Sequence, residues 1–157
     1  MGSGSGLALK SLQWINRAIQ FCCAAIILGI FAYFLATLNN HGFHIGSWVM
    51  AVAGLSALAI LYTGFALLLL CCLAGHPVIS TLAIILDLAF LGSFIYIAVA
   101  NRHGSGRCNG RVNTPFGTGS APQHVSDNGH GGFTKLPTYR QACRMETACL
   151  AVAVVAV

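Results

Sequence analysis

The sequence predicts an all-α integral membrane protein, a four-helix bundle with three full spans and a truncated, incomplete fourth. Its 157 residues are 57% hydrophobic and only 7% charged, whereas a soluble domain carries about 25% charged residues. Three stretches of roughly 20 apolar residues or more are each long enough to cross the ~30 Å hydrocarbon core of a bilayer. Because short connections join these stretches, we expect antiparallel neighbours that pack as a bundle.

The start of the chain is predicted to be a short segment of its own. Residues 1–6, MGSGSG, have the composition of a flexible linker. Residues 7–20 are mildly amphipathic, and Trp14 suits the level of the lipid headgroups. We therefore expect residues 1–17 to be a flexible start and interfacial lead-in, and residues 18–157 to form one membrane domain. The first apolar stretch is too long for the core of a cleavable signal peptide and lacks a following cleavage site, so it is predicted to remain as a signal anchor.

The first two spans are predicted over residues 18–38 and 47–73, and small residues recur on one face of each. Such stripes allow helix backbones to approach closely in lipid, so the two stripes are expected to pack against each other. The alternative is that Ala and Gly are simply frequent in membrane spans. The stripes comprise Ala25, Gly29, Ala32 and Ala36 in the first span, and Gly46, Ala53, Ala57 and Gly64 around the second.

The third predicted span, residues 78–100, carries Asp87 near its middle. An ionised carboxylate at the bilayer centre costs ~2.5–3.5 kcal/mol, so Asp87 needs a proton or a polar partner. One hypothesis is a protonated side chain that is hydrogen-bonded to a neighbouring helix, and the other is an ion or proton site. We favour the first, because the predicted spans offer no basic or acidic companion. The candidate partners are Tyr33, Ser56, Tyr62 and Thr63.

The last part of the chain differs in composition from the spans. Residues 101–140 are rich in Gly, Ser, Asn, His and Pro, which predicts a mostly irregular loop. A connection of this length in a compact domain is either functional or disordered. The fourth helix is predicted over residues 145–157, where only about a dozen apolar residues follow, too few to span a bilayer. The fourth span is therefore either truncated or inserts only partway into the membrane, and we favour truncation.

Four segments together resemble MARVEL-domain membrane proteins, and particularly the fungal MARVEL-like group. The segments are RAIQFCCAAIILGIFAYFL in the first span, LDLAFLGSFIYIAVANR in the third, CNGRVNTPFGTG in the loop and LPTYRQACRMETACLAVAV at the last helix. With the spacing of the spans, the resemblance covers nearly the whole chain. It implies an M-shaped four-helix bundle with both termini in the cytoplasm, and no catalytic residues. The incomplete fourth helix departs from this pattern.

The resemblance and the distribution of charge predict opposite orientations. The resemblance places the amino terminus inside and residues 101–140 outside. The positive-inside rule alone would keep this loop in the cytoplasm. We follow the resemblance, because the first span often dominates orientation, and Lys10 and Arg17 precede it whereas the next loop has no Lys or Arg. The basic residues in and just after the long loop are Arg102, Arg107, Arg111, Lys135, Arg140 and Arg144.

In the orientation that the resemblance implies, the cysteines fall into two groups. The pairs near the cytoplasmic surface are candidates for S-palmitoylation, although Cys is also a small apolar packing residue. Cys108 and Cys143 lie on the other side and are candidates for one disulfide if that compartment is oxidising. The histidines and Cys108 on that side lack the spacing of a zinc site, so we predict no metal and no cofactor. The palmitoylation candidates are Cys22, Cys23, Cys71 and Cys72.

We therefore expect a non-enzymatic, multi-pass membrane protein that organises membrane or vesicle traffic. Its partners would be membrane lipids, with sterol-rich lipids as one option, and other transmembrane helices, with a homo-oligomer as another; nucleic acid is not expected. The resident membrane would be the plasma membrane or endomembrane vesicles. An alternative is a small transporter or channel subunit that uses Asp87. Enzymatic activity is not expected, because no His, Ser or Cys stands in a catalytic spacing and the chain has only 3 acidic residues.

Overall fold

The computed structural model describes residues 3–72, 77–102, 106–126 and 132–157. In these ranges four α-helices make up most of the chain, and one short β-hairpin lies between the third and fourth helices. The all-α prediction is therefore correct for most of the chain and misses this hairpin. The elements are α1 (Ser3–Asn40), α2 (Ser47–Cys72), α3 (Pro77–Ala100), β1 (Arg111–Thr114), β2 (Gly117–Ser120) and α4 (Tyr139–Ala156).

Three helices of the described chain are long and apolar enough to cross a membrane. The qualifying segments are Ser11–Asn40, Ser47–Leu68 and Thr81–Ala100, one in each of α1, α2 and α3. The predicted number of helices long and apolar enough to span a membrane is therefore correct for the described residues. The helix α4 is not among the three, and the bounds of α2 and α3 lie within one residue of those predicted.

The helix α1 begins at Ser3, so it includes part of the segment predicted as a flexible start. Residues 1 and 2 lie outside the described residues, but Ser3–Gly6 and the interfacial lead-in are part of one helix of 38 residues. Gly and Ser have low helix propensity, yet extending an existing helix adds a hydrogen bond for each residue that becomes ordered. Continuation from the apolar part of α1 therefore outweighs the local composition.

Large apolar side chains dominate the buried face of α1, with Ala24 among them. The helix α1 packs against α2 and α4, and α3 packs against α4 and α2. The ring of Phe31 meets that of Trp48 in α2 edge to face, with ring centroids 6.0 Å apart. The buried residues of α1 recur at alternating intervals of three and four, as expected for a packed helix face. They include Ala24, Ile27, Phe31, Phe34 and Leu38.

The small-residue stripe of the first span therefore lies on the wrong face for the predicted contact. Its four members, Ala25, Gly29, Ala32 and Ala36, are all exposed in this chain. A Cβ atom added at Gly29 would meet no atom within 4 Å. The second stripe is more enclosed: Ala53 is buried, Ala57 and Gly64 are half-buried, and Gly46 lies just before α2. The helix α1 therefore contacts α2 through the face that carries Phe31, and not through its own small-residue stripe.

Residues 106–126 contain regular structure where the sequence predicted a mostly irregular loop. Strands β1 and β2 pair antiparallel, with Arg111 opposite Ser120 and Thr114 opposite Gly117. Gly117 has φ 108°, a backbone conformation that favours glycine and closes the turn. Phe116 at this turn packs edge to face on Phe34 of α1, with centroids 5.6 Å apart. This contact anchors the hairpin to the helices, so the hairpin does not depend on its own few hydrogen bonds.

The fourth helix begins at Tyr139, six residues earlier than predicted. Thr138 caps it: its hydroxyl accepts a hydrogen bond from the Gln141 amide, and the Gln141 side chain accepts one from the Thr138 amide. This reciprocal pair is a capping box, which satisfies two amides at the helix start. The signal was present in the sequence as Thr-x-x-Gln. The buried face of α4 includes Ala142, Cys143, Glu146, Cys149 and Ala153.

Candidate functional site

One polar side chain from each of the three apolar helices α1, α2 and α3 takes part in a cluster around Asp87. The Arg17 guanidinium donates two parallel hydrogen bonds to the carboxylate, from Nη1 to Oδ1 at 2.5 Å and from Nη2 to Oδ2 at 2.6 Å. The Tyr62 hydroxyl donates a third to Oδ1 at 2.9 Å. The guanidinium carbon also lies 5.2 Å from the centroid of the Tyr62 ring, within range of a cation–π contact. The acid, the base and the hydroxyl thus join α3, α1 and α2.

The antiparallel hairpin of α2 and α3 explains why Tyr62 reaches Asp87. Tyr62 lies ten residues before Cys72 at the end of α2, and Asp87 lies ten residues after Pro77 at the start of α3. At ~1.5 Å per residue, both side chains are about 15 Å along their helices from the connection. The Tyr62 ring also stacks on Phe90 of α3, with centroids 4.7 Å apart and planes 14° apart. This stacking directs the hydroxyl of Tyr62 towards Asp87.

Arg17 enters the cluster because it belongs to the buried face of α1. It precedes Ala24, Phe31 and Leu38 by successive intervals of seven residues, and all four are buried. The side chain of Arg17 is 5% exposed, whereas that of Asp87 is 41% exposed. Long side chains such as Arg carry their charge well away from their own backbone. Arg17 can therefore bridge from α1 to α3.

Of the four predicted partners of Asp87, one bonds to it and three bond to backbone carbonyls instead. Tyr62 is confirmed as a hydrogen-bond donor to it. The hydroxyls of Ser56 and Thr63 instead donate to carbonyls one turn back in their own helix, Val52 and Ala59, both at 2.7 Å. Tyr33 donates to the Lys135 carbonyl at 2.8 Å, near the start of α4 and far from Asp87 along the chain.

The expectation that no basic residue accompanies Asp87 is wrong, because Arg17 pairs with it. The mildly amphipathic pattern of residues 7–20 favours an interfacial position for Arg17. The intervals of seven that link Arg17 to Ala24 and Phe31 were the available signal for the opposite assignment, since they continue the core face of the span.

A second set of contacts closes the other end of the molecule. Cys108 and Cys143 form a disulfide, with Cα atoms 5.8 Å apart, that joins the segment before the hairpin to α4. The Nε2 atom of His41, at the end of α1, lies 2.9 Å from the Thr134 carbonyl oxygen. The loop between α1 and α2 and the segment between α3 and α4 therefore lie on the same side of the spans.

The predicted palmitoylation sites differ in accessibility. Cys22 is exposed, whereas Cys23 is only 6% exposed and faces the core. Because Arg17 is level with Asp87, Cys22 lies deeper along α1 than a juxtamembrane position would. The side chains of Cys71 and Cys72 lie outside the described residues. Palmitoylation of Cys22 stays a prediction, and the burial of Cys23 weighs against its modification.

Glu146 in α4 is a buried acid that the sequence did not mark as a candidate. Its side chain is 2% exposed, and its Oε2 atom has no hydrogen-bond partner among the residues that the structure describes. Burial raises the pKa of Glu146 to about 8, since desolvation disfavours the charged carboxylate. The signal in the sequence was the interval of three to Cys143 and Cys149, which places Glu146 on the buried face of α4.

Comparisons of the chain with protein-family models, with curated proteins and with solved structures found no match. Function is therefore inferred from the residues and contacts above. A charged pair within membrane helices has two common uses, to hold helices together or to mark the path of an ion. The contacts of Asp87 are the observations that bear on which of these two uses applies to the cluster.

Proposed function

We propose that this chain is a MARVEL-like, non-enzymatic membrane protein that organises membrane or vesicle traffic through lateral association with lipids and other helices. The observation that supports this most is the pairing of Arg17, Asp87 and Tyr62 with one another. These groups satisfy each other, and the outward surface of the spans exposes many large apolar side chains. Exposed apolar side chains on it include Ile26, Leu58, Leu61, Phe65, Ile84, Ile85 and Leu88. Such a surface suits contact with acyl chains and with other apolar helices.

The geometry of the cluster favours a role in helix assembly over ion transport. Both carboxylate oxygens of Asp87 already accept hydrogen bonds from Arg17. A transported cation would have to displace the guanidinium from these oxygens and leave Arg17 without its charge partner. Removing one member of a buried ion pair costs about 3–5 kcal/mol, so this exchange is expensive.

A small transporter or channel subunit is the second candidate. The observation that favours it is the 41% exposure of the Asp87 side chain, which leaves one side of the carboxylate open. An ion that approached from this side would meet Asp87 before Arg17. The two candidates differ in whether Asp87 is needed for flux or only for stability.

One reconstitution separates these candidates. Full-length protein that carries a fluorophore at its amino terminus is placed in vesicles at decreasing protein density, and energy transfer between labels is compared with that of a random distribution. Transfer above random, with no proton or cation flux, supports the organising function. Flux that is lost in Asp87→Asn, with transfer at the random level, would establish the transporter instead.

We also propose that the side with the disulfide faces the lumen or the cell exterior. Disulfides form and persist mainly in oxidising compartments. Arg111→Thr creates an Asn-Gly-Thr glycosylation acceptor at the exposed Asn109. Modification of this variant is expected, whereas an acceptor added to the amino terminus should stay unmodified. The reverse pattern would invert the molecule and support the positive-inside rule.

A further inference from the structure

A pocket of about 600 Å³ opens on the side of the disulfide, where α2 begins and α3 ends. Trp48 of α2 and Tyr96 of α3 line it, together with Arg102 just after α3, Thr114 of the hairpin and Glu146 of α4. Trp48 is the second residue of α2, and Tyr96 lies four residues before the last residue of α3. The ends of spanning helices lie at the level of the lipid headgroups. The pocket is therefore placed to receive a headgroup.

Glu146 stands out among the polar lining residues, because the described chain supplies no hydrogen-bond partner for its Oε2 atom. A buried carboxylate oxygen without a partner carries a desolvation penalty of about 1–3 kcal/mol or more. A cation that reached this oxygen would remove the penalty and favour the ionised carboxylate. The lining therefore favours the binding of a positively charged group at Glu146.

The other lining residues indicate which kind of cation the pocket would bind. The faces of tryptophan and tyrosine attract ammonium groups, and aromatic side chains beside a carboxylate suit a substituted ammonium. The guanidinium of Arg102 contributes a positive charge to the same pocket, which suits a phosphate beside the ammonium. Zwitterionic phospholipids carry these two groups next to each other.

We propose that this pocket binds the headgroup of a zwitterionic phospholipid, with its ammonium group between Glu146 and the rings of Trp48 and Tyr96. The proposal deepens the lateral association with lipids described above, because it names a lipid class and a site. It needs α2 and α3 to span the membrane, but it does not need the chain to self-associate. Failure of lipid binding and failure of self-association are thus separate results.

The binding test uses the fluorescence of Trp48. The chain has 2 tryptophans, so the full chain carrying Trp14→Phe reports from the pocket alone. This protein in a maltoside detergent is titrated with short-chain phosphatidylcholine, and with phosphatidylglycerol of the same acyl length as the matched control. We expect a saturable change in Trp48 emission with phosphatidylcholine at a Kd at least tenfold lower than with phosphatidylglycerol. Equal Kd values for the two lipids would overturn the proposal.

A soluble ammonium compound is the other source of the same chemistry. Choline chloride is therefore titrated in the same detergent. Choline should bind at least tenfold more weakly than phosphatidylcholine, because it lacks the phosphate and the anchoring in the micelle. Choline binding as tight as that of the lipid would overturn the assignment to a phospholipid.

Two variants assign the binding to Glu146. Glu146→Gln keeps the shape of the side chain and removes its ability to ionise, so it should raise the Kd for phosphatidylcholine at least tenfold. His124→Gln changes an exposed residue outside the lining and should change the Kd less than twofold. An unchanged Kd in Glu146→Gln, or an equal loss in both variants, would contradict the role of Glu146.

The pH dependence of the unsubstituted Glu146 gives an independent test that does not require a variant to fold. Since the pKa of Glu146 lies at about 8 in the unliganded protein, the carboxylate is mostly protonated at pH 7 and mostly ionised at pH 9. Affinity for phosphatidylcholine should therefore rise about tenfold over this interval. A flat profile would overturn the proposal. The other titratable groups of the lining are His44 before α2, Tyr96 of α3 and Arg102 after it. The hairpin residues of the lining do not titrate; they are Asn113, Thr114, Pro115 and Gly117.

Discussion

Asp87 and Glu146 are two acids that the fold removes from water in different ways. Asp87 lies within the spans and accepts hydrogen bonds from Arg17 and Tyr62. Glu146 lies near the disulfide side, is more deeply buried, and has an oxygen without a partner in the described chain. One carboxylate is neutralised by an ion pair, and the other by the proton that its raised pKa retains near neutral pH.

The difference follows from where each acid lies relative to water. Within the hydrocarbon core a charged group needs a partner from the protein, because lipid offers none. Near the membrane surface a pocket can exchange protons and ligands with water. We therefore expect substitutions at Asp87 and its partners to act on stability, and substitutions at Glu146 to act on pH dependence and binding.

The largest effect is expected for Arg17→Met. This change leaves the Asp87 carboxylate within the spans without its base and should lower the free energy of unfolding by about 3–5 kcal/mol. Unfolding in detergent, followed by circular dichroism, measures the loss. The double variant Arg17→Met with Asp87→Leu removes both charges and should recover most of it. Arg107→Met, at an exposed arginine, serves as the control and should stay within about 0.5 kcal/mol of the parent. A single variant as stable as this control would contradict a structural ion pair.

The next effect is expected for loss of the disulfide. Cys108 and Cys143 are 35 residues apart, and closing a loop of that length stabilises a fold by roughly 3–4 kcal/mol in the chain-entropy description. Cys143→Ser should lower stability by this order and abolish the difference in gel mobility between reduced and non-reduced protein. Cys22→Ser, at an exposed free cysteine, should preserve the difference. A mobility difference that persists in Cys143→Ser would show that another pair is joined.

A smaller, pH-dependent effect is expected for Glu146→Gln. Burial raises the pKa of Glu146 from 4.5 to about 8, so the folded state holds this proton more tightly than the unfolded state does. The stability from this group is fully present below about pH 4.5 and is lost as pH rises through about 8. Within this window the loss is at most ~1.4 kcal/mol per pH unit. Unfolding at pH 5, 7 and 9 should show this slope in the parent protein and a flatter one in Glu146→Gln. Equal slopes of stability against pH in the two proteins would show that a group other than Glu146 takes up the proton.

Tyr62→Phe should have a modest effect. It removes one hydrogen bond to Asp87 and keeps the ring that stacks on Phe90, so stability should fall by about 1–2 kcal/mol. The same unfolding assay, repeated in the Asp87→Asn background, measures the coupling of the two side chains. An identical loss in both backgrounds would mean that the hydroxyl acts independently of the charge on Asp87.

The smallest effect is expected for Gly29→Ala. A Cβ atom at this position would meet nothing within 4 Å, and alanine favours a helix over glycine by about 0.5–1 kcal/mol. Unchanged or slightly higher stability would agree with an exposed stripe. A clear loss of stability together with weaker energy transfer in vesicles would show that this face packs against a second molecule.

The sequence by itself determined the properties that depend on neighbouring residues. Hydropathy located α2 and α3 to within one residue, and the distances of Tyr62 and Asp87 from the connection between them made this contact predictable. The capping pair Thr138 and Gln141 also indicates the start of α4, although the predicted helix begins six residues later. These signals are local, or follow from helix length and antiparallel packing alone.

Only the tertiary structure decided which faces of the helices meet. The rotation of α1 placed Arg17 inside and the stripe from Ala25 to Ala36 outside, although both positions are compatible with an apolar helix. The support of the hairpin by Phe34, and the burial of Glu146 at the pocket, likewise depend on residues far apart in the chain. A membrane span is apolar on every side, so hydropathy defines its length and leaves its rotation to packing against its neighbours.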